Sequence, residues 1–184
     1  MTPQLRPTPM LRTTVLALVA VVVLGGSNAT AETHKVGDRA SELDVAVDAK
    51  GKPFKLKSYR GKWLVVTVGA DWCKPCAKEL PTWDKVAGER AGKVTFIAID
   101  IDDEVAVGKK FHDKLKIKNM TRVYLPNDKS TVGGNYGGDT MPTSMIIDPQ
   151  GVVRFVKKGF ETADAIGEAK KLRDQLTKLT AKSS

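Results

Sequence analysis

The stretch Trp63-Leu64-Val65-Val66-Thr67-Val68-Gly69-Ala70-Asp71-Trp72-Cys73-Lys74-Pro75-Cys76-Ala77-Lys78-Glu79-Leu80 decides how this chain is read. An apolar run, Trp63 to Val68, leads through a Gly69-Ala70-Asp71 turn to the chain's only two cysteines, and a helix-forming segment leads out. A strand, a Cys-x-x-Cys and a helix in that order make a dithiol redox arrangement. The pattern predicts a helix from about Cys73 to Val86, kinked at Pro81, where one backbone hydrogen bond is lost. Cys73 then lands at the helix N-terminus, where unpaired N–H groups and the positive dipole end favour an anion. That anion is the thiolate, the form that attacks disulfides. Lys74 adds a positive charge of the same sense. Pro75 falls in the first helical turn, where its missing N–H costs nothing.

Working outward, the 184 residues suffice for one domain with a real core. Residues 1–31 read as a secretory signal peptide and residues 32–184 as the domain. Arg6 and Arg12 form a positive start, Val15 to Leu24 is an unbroken apolar run, and Ala29-Thr30-Ala31 is a cleavage site. The alternative is an uncleaved membrane anchor, although the run falls short of the ~20 residues that span a bilayer. All 21 acidic and 28 of the 30 basic residues lie beyond residue 31, leaving a formal charge of +7 there. The lysines are mixed with acids and few aromatics lie among them, so nucleic acid is not expected as a partner. A single close cysteine pair is not a disulfide-stapled scaffold, and a loop this short gains little as a staple. Two cysteines with distant His34 and His112 make no standard zinc set, so no metal or cofactor is expected.

The remaining segments alternate in type. Leu43 to Val47 and Pro53 to Leu56 read as two short strands of a hairpin around an Asp48–Lys52 turn. Val94 to Ile99 reads as a second central strand. Glu104 to Leu115 reads as a helix with Val107, Phe111 and Leu115 on its apolar stripe. Met120 to Leu125 is a further strand, Pro126 to Asp128 a turn, and the glycine-rich Ser130 to Gly138 a flexible connector. Thr143 to Asp148 and Val152 to Val156 form a hairpin. A closing helix from Ala163 to about Thr180 carries Ile166, Ala169, Leu172, Leu176 and Leu179 on one stripe, with Thr162 as N-cap. His34 is placed in a flexible entry and His112 facing solvent. Asp100, Asp102 and Asp103 are read as caps of the following helix. The sum is an α/β domain, a central mixed sheet with helices on both faces.

The order of elements, the Trp72-Cys73-Lys74-Pro75-Cys76 motif, and Thr140-Met141-Pro142-Thr143 ahead of a strand hairpin resemble the thioredoxin fold. With the Gly51–Leu56 hairpin as an N-terminal β-hairpin extension, and with Glu79-Leu80-Pro81 after the cysteines, the chain is similar to exported TlpA/ResA-type thiol–disulfide oxidoreductases. The resemblance implies that Met141–Pro142 is cis and faces the cysteines, with the Met141 backbone meeting a substrate chain laid across Cys73. Base rates for proline alone would make it trans. The resemblance also marks Glu79 as an acid near the active site. Three residues after Cys76, it shares that cysteine's helix face and can exchange a proton with it, or it is a solvated helix glutamate. Two departures stand out. Thr67 occupies the position of thioredoxin's buried aspartate, and Gly69 that of an aromatic, which should open the surface beside Trp72.

The expected chemistry follows. Cys73 attacks a client disulfide, Cys76 resolves the mixed disulfide, and Glu79 and Pro142 complete the catalytic set. Trp72, Lys74, Pro75, Thr140 and Met141 form the client-facing surface. The resemblance implies a reductase, the signal peptide makes it periplasmic or secreted, and a monomer is expected. Its partners are disulfide-bearing exported clients, such as apocytochrome c or copper-site assembly proteins, and a membrane-embedded thiol electron donor. Two rival readings are a Cu(I) carrier binding through both thiolates, and a thiol peroxidase. Neither a methionine- or histidine-rich tract nor a Thr/Ser-x-x-Cys site is present to support them.

Overall fold

The computed structural model describes residues 1, 2, 4, 32–126 and 132–181. The expected signal peptide lies, but for residues 1, 2 and 4, outside the described residues, as do Asn127 and Asp128 of the expected turn and the first residues of the glycine-rich stretch. Along the chain run β1 (Val47–Asp48), β2 (Trp63–Gly69), α1 (Cys76–Glu89), β3 (Val94–Asp100), α2 (Val105–Lys114), β4 (Thr121–Tyr124), α3 (Val132–Asn135), β5 (Thr143–Ile147), β6 (Val153–Lys158) and α4 (Ala165–Thr180). They form one six-stranded mixed sheet in the order β1-β4-β3-β2-β5-β6. Strands β2, β3 and β4 run parallel, and β5 pairs antiparallel with both β2 and β6.

Strand β2 sits in the middle and is buried on both sides, as its unbroken apolar run requires. Alternate residues point to opposite faces, so two cores form. On one face Val65, Phe96, Ala98 and Ile146 pack under Trp83 of α1, Phe111 of α2 and Leu172 and Leu176 of α4. On the other, Leu64, Val66, Val68, Ile97 and Ile99 pack under Leu43, Ala46, Phe54 and Leu56 and under Tyr136 after α3. Helical segments thus lie on both faces, but unequally. The three long helices share one face, and the N-terminal segment, a 3-10 turn at Leu56–Tyr59 and the single turn of α3 cover the other.

Several local expectations are corrected. The N-terminal hairpin shrinks to a tight turn: Val47 bridges Pro53, Phe54 N–H donates to Ala46 C=O, and only Val47–Asp48 joins the sheet, at its edge beside β4. Asp48 shapes that turn by accepting the N–H groups of Lys50 and Lys52. The glycine-rich connector contains a helical turn and buries Tyr136, whose hydroxyl donates to Ser41 C=O. The N-cap of α4 is Asp164, which accepts the Gly167 N–H at 2.9 Å, not Thr162. Ile166 is exposed at the start of that helix, off the buried stripe. The entry segment is tied down: His34 N–H donates to Asn135 C=O, and the His34 ring accepts the Ser41 N–H at 3.0 Å.

Helix α2 buries Gly108, Phe111 and His112, while Val107 faces outward. His112 is therefore not at the surface. Its ring lies 5.9 Å from Phe111 and 5.4 Å from Tyr124, and neither ring nitrogen has a hydrogen-bond partner among the described residues. Burial, aided by the Arg122 charge, pushes its pKa down to about 4. A histidine held neutral in the folded state contributes stability above its unfolded pKa and loses it as pH falls toward the folded one. The stability advantage of the wild type over His112→Leu should therefore shrink by about 3 kcal/mol between pH 6.5 and pH 4. Denaturant titrations at pH values across that window measure it.

Candidate active site

Helix α1 begins at Cys76, three residues later than the spacing predicted, and runs unbroken through Pro81. Cys73 nonetheless occupies the place where an anion is favoured. Its Sγ accepts the Cys76 N–H at 3.3 Å, its C=O accepts the Ala77 N–H, and its own N–H donates to Ala70 C=O. The two cysteines are joined as a disulfide, with an S–S distance of 1.97 Å and a Cα–Cα distance of 5.3 Å. They differ in access: Cys73 retains 6% exposure and Cys76 none. The loop that carries them hangs from the end of β3. Ile101 N–H donates to Gly69 C=O, and Asp71 N–H donates to Asp102 Oδ2 at 2.9 Å.

Facing Cys73 is a groove of about 440 Å³ lined by Trp72, Cys73, Lys74, Pro75, Gly138, Asp139, Thr140 and Met141. Trp72 stands 64% exposed on its rim. The Met141–Pro142 bond is cis. Its loop is held by Thr143 Oγ1–H donating to Thr140 C=O and by Gly159 N–H donating to Pro142 C=O. Gly137 has φ +83°, and a side chain there would strike Thr143, so glycine is required. Gly69 does not open the surface as expected. It is buried, and a Cβ on it would lie 3.2 Å from the Cys76 Cβ. The glycine lets the strand approach the inner cysteine.

Cys76, Glu79, Leu80 and Trp83 fall on one face of α1 and pack against β2 and β5. Glu79 is fully buried, which removes the solvated alternative. Thr67 Oγ1–H donates to Glu79 Oε2 at 2.6 Å, and Ser144 Oγ–H donates to Oε1 at 3.0 Å. Trp83 Nε1–H donates to Ser144 Oγ at 2.9 Å. Burial pushes the Glu79 carboxyl up to about 7, against the opposing pull of the two hydroxyls. Asp100 and Asp102 are also buried and do not cap α2, whose N-cap is Glu104 with no side-chain bond. Asp100 Oδ1 accepts the Asp102 N–H, and burial beside Asp102 raises Asp100 to about 8. Among the described residues no group of three or more histidines, cysteines, aspartates or glutamates is arranged to hold a metal ion.

Of the residues singled out from sequence, Cys73, Trp72, Lys74, Pro75, Thr140 and Met141 meet in the groove, with Pro142 buried behind it. Cys76 and Glu79 lie beneath, out of the groove. The sequence reading missed Ser144, Trp83 and Asp102, and noted Thr67 only as a departure. Two hydroxyls set in apolar central strands were a usable signal, since Thr67 and Ser144 are direct cross-strand neighbours.

A disulfide-forming pair before a helix, opposite a cis-proline loop on a mixed sheet, defines a thioredoxin-like thiol–disulfide oxidoreductase. Residues 36–156 match the model of the AhpC/TSA family. The chain belongs to that family, and within it to the ResA/TlpA-type thioredoxin-like proteins. It is 31% identical over 139 residues to the thiol-disulfide oxidoreductase ResA of Bacillus thuringiensis subsp. konkukian, covering 74% of this chain and 78% of the relative. A thiol:disulfide interchange protein DsbE from Chlorobium tepidum superposes with a TM-score of 0.68 at 25% identity, covering 80% of this chain and 99% of that one. The exposed lipoprotein thioredoxin of Streptococcus pneumoniae superposes at 0.55 with 27% identity, covering 71% and 98%.

The raised Glu79 carboxyl has a consequence for stability. A group whose folded pKa exceeds its unfolded one contributes stability that is full below the unfolded value and lost as pH rises through the folded value. Relative to Glu79→Gln, the oxidised wild type should lose about 3 kcal/mol between pH 4.5 and about pH 8 and nothing further above that. Thermal unfolding of both proteins across the range tests this.

Proposed function

We propose that the protein is an exported reductase of disulfides in client proteins. The observation that carries this reading is the unequal access of the two sulfurs, with Cys73 at the groove and Cys76 sealed behind it. In the reduced protein the Cys73 thiolate attacks one sulfur of a client disulfide, and the client's other sulfur leaves as a thiolate. Glu79 takes the proton of the Cys76 thiol. The Cys76 thiolate then attacks the Cys73 sulfur, the bond to the client breaks, and the second client thiol departs. Two electrons have passed to the client, and Cys73–Cys76 is left oxidised. Trp72, Lys74, Pro75, Thr140 and Met141 receive the client chain, with the Met141 backbone presented beside the cis bond.

The oxidised pair is returned to dithiol by a membrane-embedded thiol donor, since an exported protein works in oxidising surroundings. Clients are exported proteins with redox-active or metal-site cysteines, such as apocytochrome c. Residues 1–31 direct export and are removed after Ala31, and the protein acts as a monomer. The names of the relatives, which are thiol–disulfide oxidoreductases and an exposed lipoprotein thioredoxin, support this reading.

In cells, Cys76→Ser should accumulate mixed disulfides with client proteins, and Cys73→Ser should accumulate none. Non-reducing gels followed by client identification read this out. The Cys73–Cys76 potential should lie with reducing thioredoxin-like proteins, and a value near the roughly −120 mV of a strong periplasmic oxidant would overturn the reductase direction. N-terminal sequencing of the exported protein should begin at Glu32, and a retained Met1 would establish the anchor instead.

A further inference from the structure

The groups around Glu79 form a closed set whose hydrogens can be counted. Thr67 Oγ1 and Ser144 Oγ each contact one oxygen of the carboxyl, and the two hydroxyls lie 3.0 Å from each other. They meet because Thr67 and Ser144 are paired across β2 and β5. The Trp83 indole N–H donates to Ser144 Oγ and cannot reverse, because an indole nitrogen is a donor only.

With Glu79 ionised, three hydrogens serve three acceptors. Trp83 donates to Ser144, Ser144 to Oε1 and Thr67 to Oε2. With Glu79 protonated on Oε2, a fourth hydrogen points at Thr67 Oγ1. Thr67 then turns its own hydrogen to Ser144 Oγ, 3.0 Å away, and Ser144 continues to donate to Oε1. Each polar atom of the set has a partner in both states, and only one hydroxyl rotates between them. An unpartnered group at this depth would disfavour one state or the other.

We propose that Thr67 is a positioning residue for Glu79: its hydroxyl swings between the Glu79 carboxylate and Ser144, so the buried carboxyl gains or loses a proton without stranding a hydrogen-bonding group. Other charges face Glu79 from two elements. Lys157 of β6 favours its anion and Glu168 of α4 opposes it, and these two are ion-paired at 2.6 Å, so their effects largely offset. Burial favours the acid form, and the two hydroxyls favour the anion. A cavity of about 460 Å³ lined by Ser144, Trp83, Lys157 and Glu168 opens on this side of the sheet, giving the proton a way to solvent past Ser144. That Cys76 uses this proton rests on the function proposed above; the switch itself does not.

The carboxyl carbon resonance of Glu79, followed with pH in the oxidised protein, reads the acid with no thiol to titrate beside it. Thr67→Val, close in shape but without a hydroxyl, should bind the proton about tenfold more tightly, because the anion loses a charge-assisted bond and the acid only a neutral one. Ser144→Ala should move the midpoint in the same direction, and Thr67→Ser should leave it in place. A folded Thr67→Val protein with an unmoved midpoint overturns the proposal, as does a Thr67→Ser midpoint displaced as far as that of Thr67→Val. The pH profile of the reduced protein reacting with oxidised glutathione separates the two ideas. If the Glu79 midpoint moves and the exchange profile does not, the switch stands and the proton route from Cys76 falls.

Discussion

A buried carboxyl group must be met by donors built into the fold, and in this protein the observed register of the central sheet supplies them. Glu79 reaches its position because α1 presents every third or fourth residue to β2. The donors reach it only because β2 and β5 pair with Thr67 opposite Ser144. A slip of one residue of β5 in that pairing would turn Ser144 to the far face, where Val66, Val68 and Met145 lie in an apolar core. The buried carboxyl would then keep only one of its two hydroxyl donors. The same close approach of helix and strand needs Gly69 behind Cys76, so the residue that admits the inner sulfur and one of the two hydroxyls that satisfy the acid, Thr67, belong to one strand.

The outer half of the site depends on a second buried carboxyl pair. Asp102 holds the backbone of Asp71, two residues before Cys73, and Asp100 orients Asp102 through its N–H. The carboxyl of Asp100 lies against Gly108 of α2, where a Cβ would come within 2.0 Å of Oδ1. The helix between β3 and β4 therefore bears on the cysteine loop through these two acids. Its glycine makes room for the acid, and the acids at the end of β3 fix the turn from which Trp72 and Cys73 project.

The parts legible in the sequence were those where one segment determines its own structure. The apolar runs became β2 and β3, and the Cys-x-x-Cys, with its helix and the X-Pro loop, pointed to the site. What escaped reading depended on contacts between distant segments. His112 looked like a surface residue because its neighbour Asp113 is polar, yet the helix turns it inward against Tyr124. Leu43 to Val47 alternates like a strand, but Leu43 and Ala46 cover one face of the sheet and only Val47 joins it. Asp100 and Asp102 resembled helix caps by position, and only the path of the loop at Asp71 assigns Asp102 elsewhere. Ser144 carried a signal, a buried hydroxyl in the strand Thr143–Ile147, but its partner lies 77 residues away.

In the exchange proposed for this protein, the burial of Cys76 is what calls for an internal acid. A thiol with no exposure cannot pass its proton directly to water. Cys73 has no such difficulty, since it sits at the groove and accepts a backbone N–H at the helix start. The two sulfurs therefore face different physical problems a single helical turn apart. The outer one needs an approach for another protein, which the groove beside Met141 supplies. The inner one needs a proton acceptor that remains stable in both charge states while shut away from solvent. A lone buried carboxylate would meet that need poorly, because burial alone would keep it protonated and unable to accept. The two hydroxyls oppose that burial, and the carboxyl stands at about 7, a range that suits the proton exchange proposed for Cys76.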